Sequence, residues 1–471
     1  MTDVPEPAVP EPAVPAPAGR PRRLCVVGAG YVGLTAAACF AHLGHDVTCV
    51  ERDPGRLAVL QDGGIPIHEP GLGELVTSGR AAGRLRFTAD VAPALDGADA
   101  AFLCVGTPPQ PSGEPDLSYL ATAARELARH AASDLVVVVK STVPPGSCEA
   151  LELVCAEEAR PGVAIDVVSS PEFLRESRAV EDFLAPDRVV VGADDAGVAR
   201  MVADLYPSGC PVVVCDRRGA ELVKYAANTF LAIKISFANE VAQLCDALGT
   251  EAAAVLAGVG ADHRIGREFL RPGPGYGGSC LPKDVAGFVS LGAAAGTRTD
   301  LAEAAEAQNT RARHSVVERL DSVLGGLVGR RIGVLGLAFK DGTDDTRDSP
   351  GLQIVEDLVA AGADVATYDP LVDARLPAGS RMPTPADAVS GADAIVVTVA
   401  SDEYRALDPM ETAESMAGRV VFDAAGVLDL DVWGSAGLTV YGVGRGVPHS
   451  FYPVVWTPLR WTTARRTAEA A

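Results

Sequence analysis

The chain has 471 residues, a length typical of two or three domains. Hydrophobic residues make up 48% of it and charged residues 22%, which suits a globular protein that can bury large cores. The net charge of −22 argues against nucleic acid or an anionic membrane as a partner, because both require a basic surface.

Cysteine and histidine show no pattern of a disulfide framework or a metal site. The ten cysteines include no CxxC pair, and several lie in strand-like apolar runs, which is typical of reduced cysteine in a cytoplasmic protein. The seven histidines form no HxH or HExxH spacing, so we expect no bound metal. No uncharged apolar run is long enough to span a bilayer.

The N-terminal tail, residues 1–21, carries a PEPAV repeat over residues 4–14. Its proline content predicts a disordered segment with some polyproline II character. It lacks the basic start and the apolar centre of a signal peptide.

The first motif is a dinucleotide-binding fingerprint in its required context. A predicted strand over 23–27 leads into Gly28-Ala29-Gly30-Tyr31-Val32-Gly33, then a helical run, then a second strand that ends at Glu51. Gly28 permits the tight turn, Gly30 lets a pyrophosphate approach the backbone and the helix N-terminus, and Gly33 allows close helix–strand packing. A carboxylate at Glu51 would bind ribose hydroxyls and repel a 2′-phosphate. The pattern therefore predicts NAD rather than NADP, although Arg52 could accommodate that phosphate.

Alternating strands and helices continue through the rest of the first domain, predicted over residues 22–216. Further strands are expected at 98–105, 134–140, 165–169, 188–192 and 211–215, which predicts a largely parallel, doubly wound sheet. Polar segments follow three of these strands, at 106–109, 140–144 and 170–176. Each could be an ordinary turn, but three at one edge of the sheet favour the wall of a ligand site.

An all-helical middle domain is predicted over residues 217–328, beginning with one long helix. Glu221, Lys224 and Asn228 share a face of that helix, which is either a solvated stripe or a functional face. The neighbours of the lysine are apolar, and a lysine there is costly unless it is paired, so we favour function. Further helices are expected at 250–258, 282–294 and 301–324.

The loop Gly273–Asp284 interrupts these helices and contains four glycines before Cys280. Such a loop lets backbone approach a ligand closely, and a cysteine beside a cation has surroundings that favour the thiolate. The alternative is a flexible connector with an incidental buried cysteine.

A second α/β unit is predicted over residues 329–471, with strands at 332–337, 364–368, 394–399, 420–422 and 438–441. It lacks GxGxxG, so a mononucleotide or nucleoside diphosphate is a better expected ligand than a dinucleotide. A degenerate repeat that only packs is the alternative.

With these motifs in order, the chain resembles the UDP-glucose/GDP-mannose dehydrogenase family over roughly residues 23–445. The resemblance implies an α/β fold of two Rossmann-like, doubly wound domains joined by an all-helical middle domain. The matching motifs are GAGYVG (28–33), PIHEPGL (66–72), VGTPP (105–109), KSTVPPG (140–146), SPEFLRES (170–177), ELVKYAANTFLA (221–232), DHRIG (262–266), PGYGGSCLPKD (274–284) and GLAFKDGTDDTRDSP (336–350).

The resemblance implies oxidation of a sugar C6 alcohol to a carboxylate, with two NAD⁺ reduced. A second hydride can leave only from a tetrahedral adduct, so a nucleophile must add to the aldehyde, and Cys280 suits a thiohemiacetal and then a thioester. Lys224 and Asn228 would hold the oxyanion. The family implies that Glu172 and Thr142 orient or activate water and that Asp284 assists as a base, while the base of each step stays open.

The remaining expected contacts fall into two groups. Cofactor contacts implied by the fingerprint and the resemblance are Gly28, Gly30, Tyr31, Val32, Gly33, Glu51, Thr107, Thr142, Glu176, Lys283 and Arg347. Substrate contacts are Glu172, Phe173, Leu174, Lys224, Asn228, Arg264, Phe269, Tyr276, Gly277 and Lys340.

Two features bear on the sugar. Ser279 and Lys283 around the cysteine favour UDP-glucose over N-acetyl sugars, and Arg264 matches an arginine that reaches a neighbouring subunit's substrate in this family. One departure leaves the nucleotide sugar open to a UDP-N-acetylhexosamine or GDP-mannose: residues 423–426 read Asp-Ala-Ala-Gly, where the family carries Asp-x-Arg. A non-catalytic nucleotide-sugar-binding protein is a third possibility. The resemblance also implies at least a homodimer, formed through the middle domain.

Overall fold

The computed structural model describes residues 17–108, 110, 114–373, 376 and 378–445, and it has the predicted α/β architecture with two sheets and a helical middle region. The first sheet has the strand order β3-β2-β1-β4-β5-β6-β7-β8 and is parallel except between β6 and β7. Its strands are β1 (Arg23–Val27), β2 (Asp46–Val50), β3 (Leu85–Thr88), β4 (Ala100–Leu103), β5 (Leu135–Val139), β6 (Ile165–Ser169), β7 (Val189–Gly192) and β8 (Val212–Cys215).

Helices cover both faces of this sheet, so β4 and β5 are buried along their whole length and consist almost entirely of apolar residues. One face packs an aromatic group of Phe40, Phe102, Phe183 and Tyr206. The helices are α1 (Tyr31–His42), α2 (Pro54–Gln61), α3 (Leu72–Ala81), α4 (Val91–Ala94), α5 (Ser118–His130), α6 (Ser147–Glu158), α7 (Ala179–Leu184) and α8 (Ala196–Ala203).

The helical middle region begins with α9 (Arg217–Leu248), which has 32 residues. The Asp216 side chain accepts a hydrogen bond from the Gly219 N–H at its start, and Gly249 ends it in the left-handed conformation with φ 68°. These are the start and stop signals expected of a helix, which is why the sequence predicted it well. The other helices of this region are α10 (Ala252–Gly260), α11 (Leu281–Ala294) and α12 (Asp300–Leu324).

The second sheet is parallel throughout and has the order β11-β10-β9-β12-β13-β14. Its strands are β9 (Arg331–Leu335), β10 (Asp364–Tyr368), β11 (Ser380–Arg381), β12 (Ala394–Val397), β13 (Val420–Asp423) and β14 (Thr439–Gly442). Its helices are α13 (Pro350–Ala360), α14 (Pro385–Val389), α15 (Asp402–Arg405), α16 (Pro409–Ser415) and α17 (Leu430–Ser435). The sequence prediction missed β3 and β11, which are short strands at the outer edges of the two sheets.

The predicted tail is described only from residue 17. The Ala18 N–H donates to the Tyr206 carbonyl at 3.0 Å and the Gly19 N–H to that of Asp204 at 2.8 Å, so this part of the tail is held against the first domain. The prediction of disorder for residues 1–16 lies outside the described residues. No helix in the described part of the chain combines the length and apolar character needed to cross a membrane.

In the turn between β1 and α1, two positions have no space for a side chain, which explains why they are glycines. A Cβ on Gly33 would lie 1.8 Å from the Gly28 carbonyl oxygen, and one on Gly28 would lie 2.8 Å from that of Cys104. Gly30 is different, because a Cβ there would meet nothing within 4 Å. Gly33 therefore serves packing, whereas the space beside Gly30 is open to a ligand.

We predict that Gly33→Ala lowers the midpoint of thermal unfolding by on the order of 5 °C, because overpacking of this kind costs about 1–3 kcal/mol. Gly30→Ala is the matched control, since its φ of −73° suits alanine and the space is free. The two variants are compared by circular dichroism on heating. Equal midpoints would contradict the packing role of Gly33.

Candidate active site

A cavity of about 550 Å³ lies between the first sheet, α9, the glycine loop and the start of the second α/β unit. Its volume is in the range of small-molecule sites. The structure brings ten of the predicted catalytic, substrate and cofactor residues to its wall. They are Glu172, Phe173, Leu174, Glu176, Lys224, Asn228, Phe269, Gly277, Cys280 and Lys340.

An ion pair between Lys224 and Glu172 lies at the centre of this wall. The Lys224 Nζ and Glu172 Oε1 atoms are 2.8 Å apart, and the side chains are only 3% and 7% exposed. Burial pushes the pKa of Glu172 upward, but the ammonium of Lys224, the Leu174 N–H and the charge of Lys140 together outweigh it, and the net pKa is lowered. Burial likewise lowers the pKa of Lys224, but Glu172, Asp284 and Cys280 together raise it above its usual value. Both groups are therefore charged at neutral pH.

A second polar pair lies one helical turn farther along α9. The Asn228 Nδ2 donates to Asp284 Oδ2 at 2.6 Å, and the Lys283 Nζ donates to Asp284 Oδ1 at 2.5 Å. Asp284 is only 1% exposed, so both of its oxygens are engaged within the protein. Lys283 itself does not line the cavity.

Cys280 precedes the first residue of α11 and lines the cavity. Burial raises the pKa of its thiol, and the charge of Glu172 raises it further, while Lys224 and a contact with Ser279 lower it. The net pKa is above its ordinary value. The expectation that the surroundings favour the thiolate is therefore wrong for this resting structure, and the thiol needs a base before it can act as a nucleophile.

Two of the glycines before Cys280 also have a packing role that the sequence analysis did not predict. A Cβ on Gly277 would lie 2.2 Å from the Asp348 carbonyl oxygen, and one on Gly278 would lie 2.7 Å from the Phe339 ring. These glycines thus allow the loop to contact the second α/β unit. Gly277 still contributes to the cavity wall.

Several of the predicted cofactor residues lie at the carboxyl edge of the first sheet. Glu51, which is 6% exposed, accepts hydrogen bonds from the Ala29 N–H at 3.2 Å and the Asp53 N–H at 2.8 Å. The Thr107 hydroxyl donates to the Thr142 carbonyl at 3.0 Å, which joins the ends of β4 and β5. Open space beside Gly30 at the N-terminus of α1, with a carboxylate after β2, fits a dinucleotide.

Two arginines near Glu51 are engaged by carboxylates. Arg52 pairs with Glu126, and the Arg56 Nη1 lies 3.2 Å from Glu51 Oε2. Both guanidinium groups are thus paired with carboxylates rather than available to a 2′-phosphate, which agrees with the prediction of NAD.

The segment 170–178 connects the cofactor side of the cavity to the second α/β unit. The Ser177 N–H donates to the Tyr31 hydroxyl at 2.8 Å, and the Ser177 hydroxyl donates to the Gly342 carbonyl at 2.7 Å. The Lys340 Nζ donates to the Glu176 carbonyl, and burial lowers the pKa of this lysine. The hydroxyl of Tyr31, predicted as a cofactor contact, also bonds to Glu69.

Backbone strain is concentrated at the same place. Among the described residues, Ser177, Phe269 and Asp348 are the non-glycine residues with positive φ, at 67°, 62° and 48°. Phe269 lines the cavity, Ser177 connects its two sides, and the Asp348 carbonyl faces Gly277. Such conformations cost about 1–3 kcal/mol each and are typical of functional sites.

Several predicted residues lie away from the cavity. Tyr276 packs in an apolar cluster with Ala232 and Val285, because its N–H and C=O are fixed by the Asn309 amide at 2.7 and 2.9 Å. The Arg264 side chain is 78% exposed and pairs with Asp262 in its own loop. Thr142 lies at the cofactor edge, not at the cavity wall. Arg347 lies 3.7 Å from Glu176 Oε1 and bonds chiefly to Asp345.

Among the cavity residues that the sequence analysis did not single out are Lys140, Arg188 and Tyr206. Lys140, only 3% exposed, donates from Nζ to the Tyr206 hydroxyl at 3.0 Å. The Arg188 guanidinium stacks on the Phe173 ring at 3.6 Å from its centre. Lys140 begins one of the polar segments already noted, so its position was a usable signal, whereas nothing in the sequence pointed to Tyr206 or Arg188.

Glu221 shares a helix face with Lys224 in the sequence but does not belong to the site. Its carboxylate accepts hydrogen bonds from the Gly146 and Cys148 N–H groups at 2.7 and 2.8 Å, at the start of α6. It is therefore a structural cap for that helix.

The turn that lacks the family arginine contains guanidinium groups from other segments. The Arg445 Nη2 donates to Asp423 Oδ2 at 2.8 Å, and the Arg271 Nη2 donates to the carbonyls of Ala425 and Gly426, both at 3.0 Å. Within the described ranges, no three His, Cys, Asp or Glu side chains cluster closely enough to hold a metal ion.

We predict that Glu172→Gln and Lys224→Met each destabilise the protein by about 3–5 kcal/mol at pH 7, because each leaves a buried charge unpaired. The double variant should cost clearly less than the sum. The measurement is urea unfolding of the three variants, and additive costs would contradict the pairing.

The Lys224–Glu172 ion pair also predicts how the stability of the protein depends on pH. The lowered pKa of Glu172 contributes stability above its unfolded value of about 4.3, and this is lost as the pH falls through the folded value. The raised pKa of Lys224 contributes stability below its unfolded value of about 10.4, and this stability is lost as the pH rises through the folded value. The difference in stability between the wild type and the double variant should therefore be constant from about pH 5 to 10.

Comparisons with known proteins agree with this arrangement. Three domain profiles of the UDP-glucose/GDP-mannose dehydrogenase family match: the NAD binding domain at residues 22–208, the central domain at 218–311 and the UDP binding domain at 333–430. A UDP-glucose 6-dehydrogenase of Rhizobium meliloti is 42% identical over 435 residues, which cover 90% of this chain and 99% of the relative.

Solved structures are similar to this chain over about the same share of its length. A UDP-glucose dehydrogenase from the archaeon Pyrobaculum islandicum has a TM-score of 0.84 at 39% identity, covering 91% of this chain and 98% of its own. A UDP-D-ManNAc dehydrogenase from Pyrococcus horikoshii has a TM-score of 0.81 at 30% identity, covering 90% and 99%. The chain belongs to the UDP-glucose/GDP-mannose dehydrogenase family.

Proposed function

We propose that this protein is an NAD-dependent dehydrogenase that oxidises the C6 alcohol of UDP-glucose to the carboxylate of UDP-glucuronate. The observation that carries the proposal is the position of Cys280 in one cavity with the Lys224–Glu172 ion pair and Asn228, next to a dinucleotide site. The similarity to proteins named UDP-glucose 6-dehydrogenase supports this sugar.

Cys280 acts as the nucleophile in the second half of the reaction. Bound NAD⁺ supplies the hydride acceptor for each oxidation. The Cys280 thiolate adds to the aldehyde carbon formed in the first oxidation, and the carbonyl oxygen becomes an oxyanion beside Lys224 and Asn228. Loss of hydride from this thiohemiacetal leaves a thioester, and water then attacks it, so the C–S bond breaks and the carboxylate forms.

The charges at the cavity wall suggest how the roles divide. The raised pKa of Lys224 keeps it an ammonium, which suits stabilisation of the oxyanion better than base catalysis. The lowered pKa of Glu172 keeps it a carboxylate, which suits orienting the hydrolytic water by accepting a hydrogen bond from it. Thr142 belongs with the cofactor contacts in this proposal, because it lies at the end of β5 and not at the cavity wall.

The nucleotide end of the substrate extends toward the second α/β unit. Lys340 lines the cavity on that side, and its ammonium donates to a single backbone carbonyl, so it can also bind a phosphate. The turn at residues 423–426 lacks the family arginine, which keeps a second candidate function open. That function is the same oxidation on a UDP-N-acetylhexosamine or GDP-mannose.

We propose a homodimer formed through α9. An apolar stripe of Leu222, Phe230, Phe237, Leu244 and Leu248 runs along this helix, and each of these side chains is at least 40% exposed. Spacings of seven to eight residues between most of them are typical of helices that pair. The exposed Arg264 is then available to a neighbouring subunit's site.

All ten cysteines are free thiols, including the partly exposed Cys210 and Cys215. This supports the proposal of a reducing compartment, the cytoplasm.

A panel of UDP-glucose, UDP-N-acetylglucosamine, UDP-N-acetylmannosamine and GDP-mannose with NAD⁺ tests the function. We expect UDP-glucose to give the highest kcat/KM and two NADH per sugar, measured by absorbance at completion. A higher kcat/KM for another sugar would mean that UDP-glucose is not the substrate. One NADH per sugar would contradict the four-electron reaction. Binding of UDP-glucose without NADH formation would indicate a binding protein.

Cys280→Ser tests the covalent role. We expect it to fold normally, to bind UDP-glucose and to lose carboxylate formation, because a serine alkoxide is far less accessible than a thiolate. Cys215→Ser is the control, since Cys215 lies in β8 and outside the cavity. Full turnover by Cys280→Ser would contradict the mechanism.

Phe230→Glu combined with Phe237→Glu tests the dimer. We expect these charges to shift the protein from dimer to monomer in sedimentation equilibrium, because they interrupt the exposed stripe of α9. Tyr119→Glu, another exposed aromatic on a different helix, should leave the dimer intact. A wild-type monomer would contradict the proposal.

A further inference from the structure

Ser279 lies between the nucleophile and a carboxylate. Its hydroxyl oxygen is 3.2 Å from Glu176 Oε1 and 3.6 Å from the Cys280 sulfur. A serine hydroxyl has one hydrogen to donate and lone pairs that accept. An ionised Glu176 can only accept, so the Ser279 hydrogen points to Glu176 and its lone pairs face the Cys280 thiol.

We propose that Ser279 and Glu176 form a proton relay that converts the Cys280 thiol into the thiolate. This inference rests on the proposed function, in which Cys280 adds to an aldehyde. It assigns the base that the raised pKa of the thiol requires.

The step is balanced without any further reactant. The S–H bond of Cys280 breaks and its proton goes to the Ser279 oxygen, while the original hydroxyl proton of Ser279 goes to Glu176 Oε1. The sulfur keeps the electron pair and forms the C–S bond with the aldehyde carbon. When the thioester is hydrolysed, the thiolate leaves and the same proton returns from Glu176 through Ser279, so the relay is restored after each turnover.

The other two carboxylates of the site are less suited to this task, because their oxygens are already engaged. Glu172 uses Oε1 for Lys224 and Oε2 for the Leu174 N–H, at 2.8 and 2.6 Å. Asp284 uses its two oxygens for Asn228 and Lys283. Glu176 Oε1 accepts the Ser279 hydroxyl and lies 3.7 Å from Arg347, and its buried Oε2 has no hydrogen-bond partner among the described residues, so this carboxylate is the least engaged of the three.

The electrostatic surroundings of Glu176 agree with the geometry. Burial raises the pKa of Glu176, and Asp345 raises it further, whereas Arg347, Ser279 and Lys340 lower it. The net pKa is above the ordinary value, which brings the carboxylate closer to neutral pH, where a base works best.

The thiol is subject to opposing charges from the groups that face it. Besides burial, Glu172 and Asp284 raise its pKa, and Lys224 and Ser279 lower it. Internal transfer to Glu176 produces a thiolate beside a neutral acid. It therefore adds no further charge to the cavity.

Alkylation of Cys280 by iodoacetamide tests the relay in the full-length protein. Only the thiolate reacts, so a simple thiol loses about tenfold in rate for each pH unit below its pKa. With the relay, internal transfer should give the wild type a pH-independent shoulder between the titrations of Glu176 and Cys280. The rate at each pH is measured by mass spectrometry of the Cys280 peptide.

The variants separate the relay from simple charge effects. Ser279→Ala keeps the charge of Glu176 but removes the hydroxyl that donates to the thiolate once the proton has moved, and Glu176→Gln removes the acceptor. Both should lose the shoulder and fall about tenfold per pH unit. Ser279→Thr keeps a hydroxyl and should retain the shoulder. Cys210 and Cys215 in the same samples are internal controls, whose profiles should not change.

The relay is overturned if the wild type shows no shoulder, or if Ser279→Ala and Glu176→Gln keep it. Either variant alone gives this answer should the other fail to fold. The experiment uses neither NAD⁺ nor a nucleotide sugar, so its result is independent of the substrate panel. A shoulder with no dehydrogenase activity would refute the proposed function and leave the relay standing.

Discussion

The ion pair of Lys224 and Glu172 joins the two parts of the molecule that form the cavity. Glu172 follows the end of β6, and Lys224 lies in the first third of α9. Neither charge could be buried to this depth alone, because the cost of removing an ion from water is several kcal/mol. The pair therefore fixes the distance between the sheet edge and the helix. Cys280, at the start of α11, is placed against this fixed pair, so the position of the nucleophile depends on an interaction between two other elements.

Three carboxylates lie around the nucleophile, Glu172 and Glu176 at the cavity wall and Asp284 buried behind it, and they differ in how their oxygens are satisfied. Glu172 is bonded to an ammonium and a backbone N–H, Asp284 to an amide and an ammonium, and Glu176 to a hydroxyl through Oε1. Ion pairing keeps Glu172 charged, while burial shifts Glu176 toward the neutral acid. Environment rather than residue type therefore separates a permanent anion from a group that exchanges protons.

Local patterns in the sequence predicted the parts of the structure that are set locally. The glycine fingerprint, the caps of α9 and the valine-rich strands each follow from a few neighbouring residues. Cavity residues that lie in short motifs were also singled out from the sequence, because each motif occupies one end of a strand or helix. What the sequence could not predict depends on contacts between distant segments. Tyr276 packs in the core because Asn309 fixes its backbone, and the burial of Cys280 decides the protonation of its thiol.

The contact of the glycine loop with the second α/β unit has a consequence for how the chain can be divided. The backbone of Gly277 lies against Asp348, and Gly278 lies under the Phe339 ring, with no room for a Cβ at either place. The surface that supports the nucleophile is thus supplied by a segment that follows it by about sixty residues. A fragment ending after α12 would keep every residue that performs the chemistry and still lack the surface that holds Cys280 in place. If the second α/β unit is exchanged between relatives, the contact surface around Asp348 and Phe339 therefore has to be preserved, in addition to the residues that recognise the nucleotide.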